Sequence, residues 1–384
     1  MSRFNVRLLL VVVATCLVAI HPHSVRAEDD SDLDWDPEKT HVFVVGLLQW
    51  QDSAMWPSFP ACMKDRRDKQ LVDFFHEAGV PRTQIKYLCD AEATKHGIEQ
   101  EFVKLLDQTD KGDLLIFYFA GHGWRDTDTN LTYFANYDAG AKASSSWEVR
   151  GVFATIEKHF SGDRALLLAD CCHSGGLYDL ARKHRDSKIA YAVLTSSYAH
   201  NTSTGNWTFS DSLLAGLRGE PVVDLNGDEV IELDELARYT ELELAFIEGQ
   251  KSMFLAADRF PRAAVLADVD GEIEPRVGLR VEVKYEGKWY KAKVIDVDGD
   301  QVEVHYTNFD DSWDEWVGPD RVRPYAPAQY AEGDKVETCS DSDGQWYPGT
   351  VRKAWYGLHL IRYDGYDETS DEWLGPKSIR LRSE

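Results

Sequence analysis

Continuous apolar runs alternate with helix-like stretches between residues 41 and 262, and this order restricts the fold more than any other feature. Each run is continuous rather than alternating, as in strands that are buried on both faces of a sheet. The runs are HVFVVGLL (41–48), IKYLC (85–89), LLIFYFAG (114–121), ALLLADC (165–171) and IAYAVLTSS (189–197). Helices that connect such strands make them parallel, so the pattern predicts an α/β domain with a mostly parallel sheet between helices.

A second pattern, an internal repeat, fills the chain after residue 276. KWYKAKVIDV (288–297) matches QWYPGTVRKA (345–354), and VHYTNFDDSWDEWVGPDRVR (304–323) matches LIRYDGYDETSDEWLGPKSIR (360–380), at an offset of 57 residues. Helix signals are almost absent, while Trp, Tyr and Gly are frequent. Two copies of this kind predict two small all-β barrels of four or five short strands each.

These patterns divide the chain into an α/β domain at 41–262, a linker at 263–276 and barrels at 277–326 and 330–384. At the other end, Arg3 and Arg7 precede an apolar run at 8–20, and Val25-Arg26-Ala27 suits a cleavage site, so residues 1–27 are predicted to be a signal peptide. An acidic linker would follow at 28–40. We therefore expect a secreted, periplasmic or envelope protein with no transmembrane span after signal removal, because the run is shorter than the roughly 18 residues that span a bilayer.

The charge and the cysteines narrow the possible functions. The formal net charge of -24 argues against nucleic acid as a partner. Five cysteines lie outside the predicted signal peptide, and the neighbouring residues Cys171 and Cys172 rarely meet disulfide geometry. No disulfide framework is therefore expected, and this pair needs another explanation.

Two of the predicted strands end in reactive side chains. His122 follows one strand between Gly121 and Gly123, and Cys172 follows the next. The carboxyl ends of parallel strands meet at one edge of a sheet, where a histidine could take the proton of a thiol. The backbone N–H groups of Gly123 and Cys172 could then hold an oxyanion. A cysteine at a strand end is by itself more often a small buried hydrophobic residue; the pairing with histidine favours catalysis.

The segments GHG (121–123) and DCCHSGG (170–176) resemble the histidine and cysteine motifs of caspase-like cysteine peptidases, in particular the metacaspase and orthocaspase branch. The resemblance implies that Cys172 is the nucleophile and His122 its base, with no cofactor required for the chemistry. It also implies that Asp170 and, through ACMKD (61–65), Asp65 line the first specificity pocket. Two carboxylates there would favour protein or peptide substrates with Arg or Lys before the scissile bond.

Two alternatives remain open at this stage. The α/β domain could be a catalytically silent scaffold, whose barrels make the chain a binding or adhesion protein. An aspartate-directed peptidase would instead need a basic specificity pocket.

The segment DLNGDEVIELDEL (224–236) has oxygen-bearing side chains at the spacing of an EF-hand calcium loop, and the candidate ligands are Asp224, Asn226, Asp228, Glu232 and Glu235. Glu229 stands where the sharp turn of such a loop favours glycine. Ca²⁺ is therefore a possible ligand, and a non-binding acidic turn is the alternative.

Each repeat resembles an SH3-like barrel of the Tudor-knot or agenet type. Such barrels often carry an aromatic cage, and the candidate rings are Tyr290, Tyr306, Phe309 and Trp316 in the first copy and Tyr347, Tyr363, Tyr366 and Trp373 in the second. Ring faces attract cations, so the resemblance implies a cationic ligand and a targeting or substrate-holding role for the barrels. The alternative is that these rings only pack the barrel cores.

Overall fold

The computed structural model describes residues 35–198, 203, 205–269, 277–325, 330–339, 345–355, 358–375 and 378–382. The predicted signal peptide and about half of each predicted linker lie outside these residues. Across the described part of the chain, no helix combines the length and the apolar character that a membrane span needs.

The α/β domain is built on a six-stranded sheet. Its strand order is β10-β8-β7-β3-β1-β2; all neighbours are parallel except β10, which runs antiparallel to β8. Two small sheets, β4-β5-β6 and β9-β11, lie beside it. The strands are β1 (Thr40–Gly46), β2 (Ile85–Cys89), β3 (Leu114–Ala120), β4 (Gly123–Arg125), β5 (Thr132–Phe134), β6 (Trp147–Glu148), β7 (Arg164–Asp170), β8 (Ala190–Thr195), β9 (Val230–Glu232), β10 (Met253–Ala256) and β11 (Val265–Asp268).

Six helices cover the two faces of this sheet. They are α1 (Arg67–Glu77), α2 (Lys95–Leu106), α3 (Val149–His159), α4 (Gly176–Lys183), α5 (Thr208–Leu217) and α6 (Leu233–Ile247). Helices α2, α3 and α4 contribute to one core with one face of the sheet, and α1, α5 and α6 contribute to a second core with the other face. The predicted α/β class with a mostly parallel sheet is confirmed, because continuous apolar runs supply both faces of each central strand.

The repeats fold as two five-stranded antiparallel sheets. The first barrel consists of β12 (Arg280–Tyr285), β13 (Lys288–Asp298), β14 (Gln301–Tyr306), β15 (Glu315–Val317) and β16 (Val322–Pro324). The second consists of β17 (Lys335–Cys339), β18 (Trp346–Trp355), β19 (Leu358–Tyr363), β20 (Glu372–Leu374) and β21 (Ile379–Leu381). The strand order is the same in both, as expected from the repeat.

Helix α6 joins the α/β domain to both barrels. Its Glu243 is 5% exposed, and the side chains of Arg280 and Lys293 from the first barrel bind the two carboxylate oxygens. Burial alone raises the pKa of Glu243, but the two cations outweigh burial and lower it. The carboxylate therefore stays charged between two cations at the junction.

An apolar contact lies beside this ion cluster. Phe246 of α6 packs with Tyr325, which follows the first barrel, and the same cluster includes Leu358 and Trp373 of the second barrel. The guanidinium of Arg238 lies over the ring of Trp373, 4.5 Å from its centroid. The two barrels are thus packed on the α/β domain.

Replacing Glu243 with Gln should destabilise the chain strongly, because the buried Arg280 and the partly buried Lys293 lose their counter-charge. We expect a loss of about 3–5 kcal/mol in the free energy of unfolding, the usual effect of breaking a buried ion pair from one side. Chemical denaturation followed by tryptophan fluorescence measures it.

The matched control is Glu282→Gln, which breaks the more exposed pair of Glu282 with Arg323 in the same barrel. This variant should lower the free energy of unfolding by about 1 kcal/mol or less. If the two variants lost the same free energy of unfolding, the α6 ion cluster would not be what holds the barrels in place.

Candidate active site

The register of β3 against β7 positions the two predicted catalytic residues. Ala120, the last residue of β3, pairs with Asp170, the last residue of β7. His122 and Cys172 each lie two residues further along, at the ends of strands about 4.8 Å apart. Both line one pocket, together with Leu48, Phe59, Cys62, Ala120, Gly121, Asp170, Cys171, Ser203, Gly205, Asn206 and Trp207.

Aromatic rings and one carbonyl group hold the imidazole of His122. The ring lies 4.5 Å from Trp50 and 4.6 Å from Phe59, centroid to centroid. Its Nε2 is 2.7 Å from the carbonyl oxygen of Pro57, which can only accept a hydrogen bond. Nε2 therefore carries the proton in the neutral ring, and Nδ1 keeps a lone pair as the basic atom. Burial lowers the pKa of His122, and the bond to Pro57 opposes this effect.

The thiol of Cys172 lies against the segment after β8. The backbone N–H of Ser203 points to Sγ at 3.2 Å. Burial raises the pKa of the Cys172 thiol, the backbone N–H groups of Ser203 and of Cys172 itself lower it, and the charge of Asp170 raises it. A neutral thiol and a neutral imidazole therefore share the pocket at rest, which is the starting state for proton transfer from sulfur to nitrogen.

Cys171 has a different environment from Cys172. It is 2% exposed and belongs to the apolar core, and burial raises the pKa of its thiol well above the usual value. A Cβ atom on Gly123 would lie 2.0 Å from the carbonyl oxygen of Cys172 and 2.9 Å from Sγ of Cys171. Glycine at 123 thus lets the histidine and cysteine segments touch, while Cys171 fills the space behind them.

The N–H of Gly123 is directed away from its neighbouring strand. The N–H of Ala135 donates to the carbonyl of His122, so these two residues form the hydrogen-bonded pair of the antiparallel ladder. The next pair, Gly123 with Phe134, is then a non-hydrogen-bonded one. The geometry leaves this N–H available to a ligand, as the oxyanion prediction requires.

Asp170 is a buried acid in the lining of the pocket. It is 8% exposed, and the hydroxyl of Ser210 donates to its Oδ2 over 2.7 Å. Burial raises the pKa of Asp170 to about 7, against the opposing effect of hydrogen bonds from Ser210 and Ser196. The carboxyl can therefore change charge near neutral pH.

Asp65 does not join Asp170 in the pocket. Its carboxylate is exposed and is bound by Arg67 and by Gln70. Arg67 also binds Asp211 of α5, a residue that the sequence analysis did not single out. The predicted pair of carboxylates is thus replaced by one buried acid, Asp170, and an Asp65–Arg67–Asp211 ion cluster outside the pocket lining. The arginine accounts for the difference, because it draws both outer carboxylates to itself.

Other contributing groups were also missed by sequence reasoning. The segment after β8 supplies Ser203, Asn206 and Ser210, and no motif in the sequence distinguished these residues. No sequence signal could single out the carbonyl of Pro57, since every residue has a backbone carbonyl group.

The acidic loop at 224–235 brings together three of its five candidates. Carboxylate oxygens of Asp224, Asp228 and Glu235 all lie within 4.8 Å of one another. Asn226 is bonded to Asp228 through its side-chain amide. The carboxylate of Glu232 instead caps the N-terminus of α6.

Glu229 has φ of 67°, the left-handed conformation that glycine adopts at this position of an EF-hand loop. Glu229 thus adopts the conformation that this turn needs despite its side chain, and carboxylates are ligands that a hard cation prefers. The carboxylate of Glu235 also accepts hydrogen bonds from backbone N–H groups of Leu225, Asn226 and Glu232.

The first barrel carries an aromatic cluster that partly matches the predicted cage. Tyr290, Tyr306 and Phe309 lie 6.0–6.2 Å apart, centroid to centroid, and Tyr285 and Trp313 complete the group. We call these five rings the aromatic cluster.

Trp316 is not part of the aromatic cluster. It follows Glu315 on β15, and Glu315 accepts a hydrogen bond from Tyr306 of the cluster. Neighbouring residues of a strand point to opposite faces, so Trp316 points away and is 41% exposed.

The described residues of the second barrel do not repeat this five-ring cluster. Tyr363 and Tyr366 lie 6.4 Å apart, and Tyr347 is on β18 with 38% of its surface exposed. Trp373, however, is 3% exposed against α6 and cannot line an open cage. Ser370 stands at the repeat position of Trp313. Trp373 therefore packs against α6 in the second barrel, whereas its counterpart Trp316 is exposed in the first.

Comparisons with known proteins agree with this architecture. The family model of the caspase domain matches residues 58–253, about half of the chain. The model of the Agenet domain matches twice, at 278–327 and 333–384. The comparison with curated proteins gave no match.

The comparison with solved structures also gave matches, of which three follow. A protein from Geobacter sulfurreducens is 15% identical with a TM-score of 0.43, and the match covers 60% of this chain and 100% of that one. The tandem Agenet domain 3-4 of ADCP1 is 25% identical and the AGD34 segment of Arabidopsis thaliana AGDP1 is 24% identical, each with a TM-score of 0.13. Each covers 28% of this chain, and 80% and 82% of their own chains are matched.

With histidine and cysteine motifs at the ends of adjacent parallel strands and a duplicated β domain after them, the chain belongs to the caspase-domain family and carries a tandem pair of Agenet domains.

Proposed function

We propose that this protein is a cysteine endopeptidase that cleaves after Arg or Lys. Sγ of Cys172 attacks the scissile carbonyl carbon while Nδ1 of His122 accepts the thiol proton. The N–H groups of Gly123 and Cys172 hold the resulting oxyanion. The C–N bond then breaks, and the leaving amine takes the proton from His122. Water adds to the acyl-enzyme with His122 as base, which releases the acid product and restores the thiol.

One observation carries this proposal: the thiol of Cys172 and the imidazole of His122 line a single pocket at the ends of β3 and β7. The bond from Nε2 to Pro57 supports the assignment of His122, because it leaves Nδ1 as the basic atom. The caspase-domain match supports a peptidase rather than another use of the thiol.

Asp170 supports the preference for Arg or Lys. It is the acidic side chain that lines the pocket, and an ionised carboxylate there would form a charge-assisted hydrogen bond to a substrate cation. Asp211 adds negative charge nearby, although Arg67 already binds it. We therefore assign specificity chiefly to Asp170 and not to Asp65.

Cys172→Ala should abolish turnover of a fluorogenic peptide that ends in Arg, because the variant has no nucleophile. Cys171→Ala is the matched control, and it should keep most activity while losing some stability, since it only removes a buried sulfur. Steady-state kinetics on both purified proteins measures the difference, and turnover by Cys172→Ala equal to that of the unchanged protein would refute the mechanism.

The silent-scaffold alternative makes a different prediction for the unchanged protein. A scaffold would not be labelled at Cys172 by a peptide inhibitor that alkylates thiols, whereas a peptidase would be. Comparing Arg-ended with Asp-ended inhibitors also separates the aspartate-directed alternative.

The pH dependence of kcat/KM should follow the ionisation of the Asp170 carboxyl. This ratio follows the groups of the free enzyme, and the pKa of Asp170 is raised to about 7. Below that pH Asp170 becomes neutral and binds a cation poorly, so kcat/KM for an Arg substrate should fall as pH drops through about 7. The pKa of His122 is lowered, so His122 is already in its basic form there.

Ser210→Ala tests this interpretation. The variant removes a hydrogen bond that lowers the pKa of Asp170, so the acidic limb should move to higher pH. If the acidic limb of the kcat/KM profile stayed at the same pH in Ser210→Ala, that limb would belong to a group other than Asp170.

We also propose that the loop at 224–235 binds Ca²⁺ as a structural ion. Asp224, Asp228 and Glu235 would hold it, and the ion would offset the repulsion among the three carboxylates and brace the start of α6. The left-handed conformation of Glu229 supports this use of the loop.

Calcium should raise the melting temperature of the unchanged protein, and Asp228→Asn should remove most of that increase because it deletes one charged ligand. Asp311→Asn, in a second group of His305, Asp311 and Asp314, is the matched control and should keep the increase. Thermal unfolding with calcium or with chelator measures both. The same calcium response in all three proteins would place the ion elsewhere.

A further inference from the structure

The aromatic cluster of the first barrel is open to solvent. Trp313 is 46% exposed, Phe309 38% and Tyr285 36%, while Tyr306 is buried beneath them. Large rings that meet at several angles and remain exposed form a surface on which a ligand can pack, and their faces attract cations.

This cluster lies next to the wall of the active-site pocket. Asn206 lines the pocket, and its side-chain amide donates to Oδ1 of Asn308 over 3.1 Å. Asn308 directly precedes Phe309 of the cluster. On the other side of Phe309, the carboxyl of Asp310 has a lowered pKa. Two hydrogen bonds from Ser312 are the main cause, and the positive charge of nearby Lys64 contributes. One loop of the barrel therefore contacts Asn206 of the pocket wall and lies near Lys64, two residues after the pocket residue Cys62.

The junction with α6 fixes this position. Nζ of Lys291 donates to the carbonyl of Phe246 over 2.9 Å, and Lys293 binds Glu243 on the same helix. Glu248, at the end of α6, accepts hydrogen bonds from Thr208 and from Asn206. The helix thus holds the barrel on one side and the pocket segment on the other, so the cluster and the pocket keep their relative positions.

Exposed carboxylates beside the cluster can bind a cation. Asp310 and Asp311 lie in the segment that carries Phe309 and Trp313, and Glu286 follows Tyr285 in a hairpin that also has the exposed Lys284 and Lys288. The whole chain has a formal charge of -24. A Lys or Arg side chain could therefore place its apolar stem on the rings and its charge near the carboxylates.

We propose that the aromatic cluster is an exosite that holds a Lys- or Arg-containing segment of the same protein substrate whose scissile bond occupies the Cys172 pocket. This inference depends on the proposed peptidase function, which supplies the second anchor on the substrate. Two linked contacts on one chain would raise affinity through effective concentration without tightening either contact alone.

The first test measures binding without catalysis. Cys172→Ala protein is titrated with a 20-residue peptide that contains one Arg cleavage site and a flanking Lys-rich segment, in which the peptide bonds after the lysines are N-methylated so that only the Arg site can be cleaved. The comparison peptide has Gln in place of those lysines. We expect the Lys peptide to bind about ten-fold more tightly. Adding Trp313→Ala should remove this difference, and adding Trp316→Ala, which alters a tryptophan of similar exposure outside the cluster, should preserve it.

The second test uses active protein. Trp313→Ala should raise KM for the Lys-rich peptide about ten-fold and leave kcat/KM for a short Arg-ended reporter unchanged, and Trp316→Ala should change neither. Equal binding of the Lys and Gln peptides, or equal effects of Trp313→Ala and Trp316→Ala, would overturn the exosite. If the active protein turned over no peptide but still bound the Lys peptide more tightly through Trp313, the peptidase function would be overturned. The cluster would then remain as a cation-binding surface.

Discussion

The parallel pairing of β3 with β7 is the constraint on which the site depends. Because Ala120 faces Asp170 in the ladder, the two segments that leave these strands begin at the same edge of the sheet. A shift of one residue would move Asp170 out of the pocket and separate imidazole from thiol. Apolar side chains on both faces hold this register, since a slipped strand would lose its packing in two cores at once. The chemistry at the edge therefore depends on the packing of the middle of the sheet.

Much of this arrangement could be predicted from local sequence. Continuous apolar runs gave the central strands, and IKYLC at 85–89 matches β2 at both ends. The short antiparallel strand β10 was missed, because a run of four apolar residues is too short to separate a strand from a loop or a helix end. The proximity of His122 and Cys172 was predictable because each directly follows a strand and the order of strands in such sheets is restricted.

The remainder depends on contacts between distant segments. Arg67 draws Asp65 towards Asp211, and no spacing in the sequence predicts that three-residue cluster. Glu243 would be assigned to a solvent-facing helix position, yet it is buried because two cations arrive from a domain some forty residues further along. The Asp-Glu-Trp triplets are identical in the two repeats, but Trp316 is exposed and Trp373 is buried. Sequence identity cannot distinguish them, because the difference lies in what each barrel packs against.

The different environments of the two tryptophans determine what happens when the second barrel is removed. The second barrel covers Phe246 and its apolar neighbours on α6 with Trp373 and Leu358. A break in the chain between the barrels, followed by loss of the second, would uncover a patch of large apolar side chains on the remaining fragment. Such patches promote self-association. Proteolytic trimming would then yield aggregated material instead of a smaller soluble fragment, so the tail also serves as a cover for the domain that precedes it.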